Sequence, residues 1–249
     1  LLAGFSAFEV LSYRWGVASI VLIVFGWLSG CNFRLAGKDW GVVFLLSLLR
    51  AVTSFSLIIA YQNIASGVAS TIHFMYPLAV ALAMMFFFRE KKSLLVILAV
   101  LMSLLGAALL SLGELEAKSG NTMVGLVAAC VSVFSYAGYI VGVRTTRAVQ
   151  INSTALTCYV MGLGTIFYLI GAYCTSGLQL VSDGYTWLII LGLALPATAI
   201  SNITLVQAIK YAGPTLTSIL GAMEPLTAVV IGVFVFKELF TVNSAVGII

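Results

Sequence analysis

Runs of about twenty apolar residues, separated by short polar breaks, recur from one end of this chain to the other and constrain its fold more than any motif does. They fall near 11–30, 41–61, 67–88, 94–112, 122–143, 154–175, 185–206 and 215–236, with a shortened one from 241 onward. A helix of that length covers roughly 30 Å, the hydrocarbon thickness of a bilayer. Stretches such as Pro77 to Phe88 lack the alternation of a barrel strand, so helices are the expected elements. Composition agrees. Of 249 residues, 62% are hydrophobic and only 8% charged, where a soluble domain carries roughly 25% charged residues to solvate its surface. That excludes a soluble enzyme, a secreted disulfide scaffold and a disordered chain. The expected fold is all-α and integral to the membrane, with the lipid bilayer as its first partner.

The breaks between runs carry an uneven charge. Arg34 and Lys38 follow the first run, Arg89, Lys91 and Lys92 the third, Arg144 and Arg147 the fifth, and Lys210 the seventh. Alternate breaks thus hold eight of the twelve cations, which the positive-inside rule assigns to the cytoplasm. No Lys/Arg cluster of the kind that tracks phosphates exists, so nucleic acid is not an expected partner. A single histidine and four cysteines without a CxxC spacing argue against a metal site. No nucleotide-cradling glycine loop and no HExxH occurs, so neither cofactor-dependent nor ATP-driven chemistry is expected, and the chain does not read as an enzyme.

Comparing the chain with itself is the most informative step. Residues 75–90 (MYPLAVALAMMFFFRE) match 223–238 (MEPLTAVVIGVFVFKE) at an offset of 148, with six of sixteen positions identical. The same offset pairs Gly16 with Gly164, Ala60 with Ala208 and Ser70 with Ser218. The run at 122–143 has no counterpart in the first half, and the last run stops short of its counterpart. The expectation is an inverted repeat of two five-helix halves, 1–112 and 122–249, ten helices in the intact protein with about nine present. The first would be missing and the last truncated. Five is odd, so the second half would enter the bilayer upside down, the arrangement of secondary transporters that rock around a midplane site.

Two copies of a helix reading x-x-Pro-Leu, then a long apolar stretch, then Arg/Lys-Glu, resemble the EamA-type drug/metabolite transporter superfamily. Glu224-Pro225 with the closing Lys237-Glu238 is similar to that family's second copy, and Tyr13-Arg14-Trp15 to the entry of its second helix. The resemblance implies a carrier of the cell inner (plasma) membrane that exports small molecules such as amino acids, nucleotides or xenobiotics. Tyr76 occupies the place matching Glu224, so the two copies are chemically unequal.

Ionisable side chains at membrane depth cost several kcal/mol and call for a partner, a wetted cavity or a task. Glu224, about ten residues into its run beside Pro225, could take up a proton or bind an ammonium group. Pro77 and Pro225 each leave the carbonyl four residues earlier, at His73 and Gly221, without its usual donor, and are candidate hinges. His73 and Tyr76 share a face with Pro77, and histidine is the side-chain type whose ordinary pKa lies near neutral pH, so His73 could gate, sense protons or only hydrogen-bond a carbonyl. Arg50 lies mid-span and begins a polar stripe with Thr53 and Ser54; its repeat partner Thr198 begins another with Ser201 and Asn202. Arg50 would either clamp a substrate carboxylate or pair permanently with Glu224. Arg14, placed near the outer surface, would snorkel to headgroups. Tyr136 and Tyr139 would line a cavity or fill space, beside a small-residue packing stripe from Gly125 to Gly142. The resulting expectation is a secondary active exporter of small polar or amphipathic metabolites, monomeric or homodimeric, driven by protons or another coupling ion through alternating access. The alternative is an antiporter or facilitator for nucleotide-sugars or organic phosphates, which would want more cavity cations than Arg50, or a non-transporting membrane subunit.

Overall fold

Every described secondary-structure element of the computed structural model is a helix. It describes residues 5–90, 97–98, 101–102, 105, 120–175, 177, 179–221, 223–224 and 227. The helices are α1 (Ala7–Leu28), α2 (Trp40–Asn63), α3 (Ser66–His73), α4 (Tyr76–Phe87), α5 (Thr122–Thr145) and α6 (Ser153–Thr175). After α7 (Gly184–Ala194) a wider π-turn (Leu195–Ile200) continues into α8 (Ser201–Ala212), and α9 (Pro214–Gly221) follows. Among the described residues six stretches are long and apolar enough to cross a membrane: Ala7–Leu28, Gly37–Asn63, Ser66–Phe87, Thr122–Thr145, Ser153–Thr175 and Gly184–Ala212. The run at 94–112 lies largely outside the described residues, as do most of 215–236 and all of the last.

Local chemistry sets the helix ends. Ser6 and Glu9 form a reciprocal capping box that starts α1 at Ala7, four residues before the apolar run begins. Asn121 and Asn152 accept backbone N–H groups at the starts of α5 and α6, and Asp183 does so for α7. Ile20, Ile23, Val24, Phe25, Trp27 and Leu28 of α1 are all exposed, an apolar face that only lipid would solvate.

The chain packs as two units, each drawing on both sequence halves: residues 1–55 with 142–211, and 56–141 with 212–249. In the first unit α1 packs along α6, its own repeat counterpart. Phe8 meets Gly171, Trp15 meets Gly164, and Ser19 meets Gly162, so the two helices run antiparallel. Equivalent helices with opposite directions are what an inverted repeat requires. One end of this unit gathers cations: Arg147 pairs with Asp39 at 2.8 Å, Arg144 donates to the Lys210 carbonyl, and Lys210 donates to that of Ile151. At the other end Glu9 accepts from the Gln179 backbone N–H, and the Tyr13 hydroxyl donates to the Gln179 carbonyl.

In the second unit α5 lies along α3 and α4. Ile64 meets Gly125, His73 meets Ser132, and Tyr76 meets Tyr136. The eight residues of α3 and the eight of α9 stand in register at the repeat offset. Both helices stop at the residue four before the paired proline, His73 and Gly221. For Pro77 the cause is the missing N–H, which breaks the hydrogen-bond ladder at His73; Pro225 lies outside the described residues.

Candidate functional site

Two polar clusters sit within the helices, one in each unit. The first is built around Arg50, at the centre of the Gly37–Asn63 span. Its Nε donates to Asn202 Oδ1 at 3.2 Å and its Nη1 to Ser54 Oγ at 3.1 Å. The Asn202 amide is oriented for this, because its Nδ2 donates to the Thr198 carbonyl at 2.7 Å. Arg50, Ser54, Thr198 and Asn202 are two pairs of repeat-equivalent positions, so the two polar stripes do come together in space. Thr198 and Asn202 are almost fully buried, while Arg50 and Ser54 are half-buried. Thr53 is buried and donates back along its own helix to the Leu49 carbonyl.

An aromatic wall backs the guanidinium. The Arg50 Cζ lies 5.9 Å from the Trp15 ring centroid, a cation–π distance. Trp15 packs edge-on against Tyr168 at 5.1 Å, and the Tyr168 hydroxyl donates to the Ala51 carbonyl. Gly164 makes this possible, since a Cβ there would fall on the Trp15 ring.

Arg14 belongs to the same cluster, a correction to the snorkelling expectation. Its Nε donates to Thr198 Oγ1 at 2.5 Å and its Nη2 to the Ala197 carbonyl at 3.2 Å. The capping box explains the difference: by starting α1 at Ala7 it sets Arg14 about 10 Å into the span. The S-x-x-E pattern at Ser6–Glu9 was the sequence signal for this depth. Pro196 was likewise overlooked. It has no N–H to continue the α-helical ladder, and the π-turn forms around it. Within that turn Thr198 Oγ1 donates to the Leu193 carbonyl at 2.9 Å, so its lone pairs face Arg14. Pro196 has no repeat counterpart, because Leu48 stands in its place. Each arginine at this depth costs roughly 2.5–3.5 kcal/mol of insertion energy, a cost the cluster must offset.

The second cluster surrounds His73, which is buried. Ser132 Oγ donates to the Ala129 carbonyl at 2.6 Å and lies 2.9 Å from His73 Nδ1. With its one proton spent on the carbonyl, Ser132 is placed to accept from His73 Nδ1. Tyr136 stacks on the imidazole at 5.4 Å and meets Tyr76 at 4.6 Å. Tyr139 is fully buried with its ring parallel to that of Tyr136, whereas Tyr136 is half-buried. The Tyr76 hydroxyl occupies the space where a side chain at position 221 would begin, so any larger residue there would have to displace it. Glu224 is exposed three residues beyond α9. Among the described residues no three His, Cys, Asp or Glu side chains converge as metal ligands.

These helices and their repeat have counterparts among known proteins. A crystal structure superposes on the chain with a TM-score of 0.82, covering 99% of this chain and 84% of its own. Its sequence identity is 17%, so the likeness speaks for the fold alone. An uncharacterized transporter from Archaeoglobus fulgidus is 27% identical over 228 residues, which span 90% of this chain and 79% of the relative. The profile of the EamA-like transporter family matches residues 1–112 and again 123–249. Almost the whole sequence is thereby accounted for, and this multi-pass membrane protein belongs to the EamA-like transporter family.

Proposed function

We propose that this transporter is a secondary active exporter of small polar or amphipathic metabolites across the cell's inner membrane, working by alternating access. Arg50 would hold the substrate, with Ser54, Thr198 and Asn202 completing its contacts. Glu224 would be the coupling acid, and His73 a second group that senses or takes up protons. Pro77 and Pro225 would serve as hinges. One observation supports the reading above the rest: a mid-span arginine meets polar side chains from its own helix and from the repeat-equivalent helix. Polar groups at that depth face a bundle interior or a wetted path far more often than lipid.

The test is transport by the full-length protein in proteoliposomes, against a metabolite panel and with an imposed pH gradient. Glu224→Gln should abolish gradient-driven accumulation while leaving downhill equilibration. Arg50→Ala should weaken acidic substrates selectively. Undiminished accumulation by the Glu224→Gln protein would remove the coupling role, and equal loss of all substrates in Arg50→Ala would make Arg50 structural.

A further inference from the structure

We infer that a groove between α1 and α6 seats an acyl chain of an anionic phospholipid, with the lipid's head group held by Arg34 and Lys38 at the mouth. The inference goes beyond the transport reading and needs only that the chain is embedded in a bilayer. The groove encloses about 410 Å³. Ser19, Cys158 and Gly162 line it, all small, and so do the longer Ile23, Leu163 and Ile166. Small residues create the hollow: a Cβ at position 162 would already stand 3.3 Å from Ser19 Oγ. Ile23 and Ile166 are exposed, so the groove opens sideways toward lipid. From Cys158 to Ile166 it runs about 12 Å along α6, against about 15 Å for one hydrocarbon leaflet.

Side-chain contacts hold the loop at the mouth in place. Phe33 lies over Gly26, where a Cβ would overlap its ring, and its carbonyl accepts from the Tyr159 hydroxyl at 2.7 Å. Trp40, which also lines the groove, is exposed and packs edge-on against Tyr159 at 5.5 Å. Tryptophan and tyrosine at one level of a span mark the head-group boundary. Arg34 follows Phe33 and Lys38 precedes Trp40 by two residues, so both cations stand at this boundary. Both are exposed, and among the described residues their side chains make no hydrogen bond or ion pair. The nearest acid along the chain, Asp39, is already paired with Arg147 at 2.8 Å. A zwitterionic head group would bring its own cation to this mouth, and a second copy of the chain would bring the same two cations. A lipid of net negative charge answers them. Chain burial or a basic pair alone anchors a lipid weakly, and this groove offers both.

The experiment is native mass spectrometry of the purified full-length chain in a neutral detergent, titrated with phosphatidylglycerol and with phosphatidylcholine of identical chains. One phosphatidylglycerol should be retained, about tenfold or more tighter than phosphatidylcholine, at about fivefold per cation. Glycerol 3-phosphate, which has no chains, separates a free anion from a lipid and should not be retained at matched concentration. Arg34→Gln with Lys38→Gln should bring the two lipids within about threefold while phosphatidylcholine retention stays unchanged. Leu163→Trp fills the groove and should weaken both lipids. Ile166→Trp, on the lipid-facing side, stands in if that variant lacks a single melting transition. Equal retention of the two lipids by the unmodified chain, or a preference that survives in the double glutamine variant, overturns the inference. So does lipid retention untouched by the filled groove, which would leave only surface attraction. Glycerol 3-phosphate bound as tightly as the lipid would make this a site for a free anion. A lipid-free dimer split by the filled groove would make it an interface between copies, and either result overturns the inference too.

Discussion

Alanine at Gly164 should destabilise the protein, whereas alanine at its repeat twin Gly16 should not. At position 164 the new methyl group would overlap Cζ3 and Cε3 of Trp15, whose indole is only 2% exposed and held by Tyr168. Overpacking of that kind costs about 1–3 kcal/mol, offset by the roughly 0.5–1 kcal/mol gained when alanine replaces glycine in a helix. The net loss is up to about 2.5 kcal/mol, or up to roughly 10 °C in melting temperature for a chain of this size. At position 16 the nearest atom to the new methyl is Thr165 Cγ2 at 3.4 Å, an ordinary contact. There the propensity gain stands alone, and Gly16→Ala should melt unchanged or up to about 4 °C higher. Tryptophan-fluorescence melting of the purified variants reads both. Trp15→Leu should relieve the strain, so the Trp15→Leu/Gly164→Ala double variant should deviate from additivity by about 1 kcal/mol or more. Equal shifts for the two alanines, or strict additivity in the cycle, would refute the packing argument.

Gly221→Ala should lose about 1–3 kcal/mol of stability, because its methyl meets the Tyr76 hydroxyl, and Tyr76→Phe in the same chain should recover most of it in the same melting assay. Ser132→Ala removes the acceptor for His73 Nδ1 and should cost about 1–3 kcal/mol for the orphaned buried donor. If His73 takes up protons during transport, His73→Gln should change the pH profile of the transport rate; a profile identical to the parent's would remove His73 from the cycle. The Arg147–Asp39 pair is open to solvent on its Arg147 side, so a double-mutant cycle should return about 1 kcal/mol, fading in high salt. A coupling well above that would show the pair working as a structural latch.

Much of this protein can be read along its chain. Each α-helix within the described residues overlaps an apolar run, because the bilayer demands both a length and a continuous apolar composition that few other sequences satisfy. The repeat was visible in the Pro-Leu and closing acidic positions. It led to the pairing of Arg50 with Thr198 and Ser54 with Asn202, and these four do meet. The break before Pro77 needed no tertiary information, since a missing N–H interrupts its own helix. Placing Arg14 went wrong through a helix start set four residues too late, although the Ser6–Glu9 box was there to be read. Pro196 escaped notice because it has no twin at Leu48.

Sequence alone determined that the protein is a membrane helix bundle built from a doubled unit of opposed direction, since hydropathy, span length and self-similarity are properties of the chain itself. Only the tertiary structure decided which partners the side chains take: that α1 lies on α6, that the packing units cross the sequence halves, that Arg14 joins Arg50, and that Ser132 faces His73 Nδ1. Those contacts join residues tens to nearly two hundred positions apart. They depend on which helix faces meet, and hydropathy, being alike on every face of a lipid-bathed helix, carries no record of that choice.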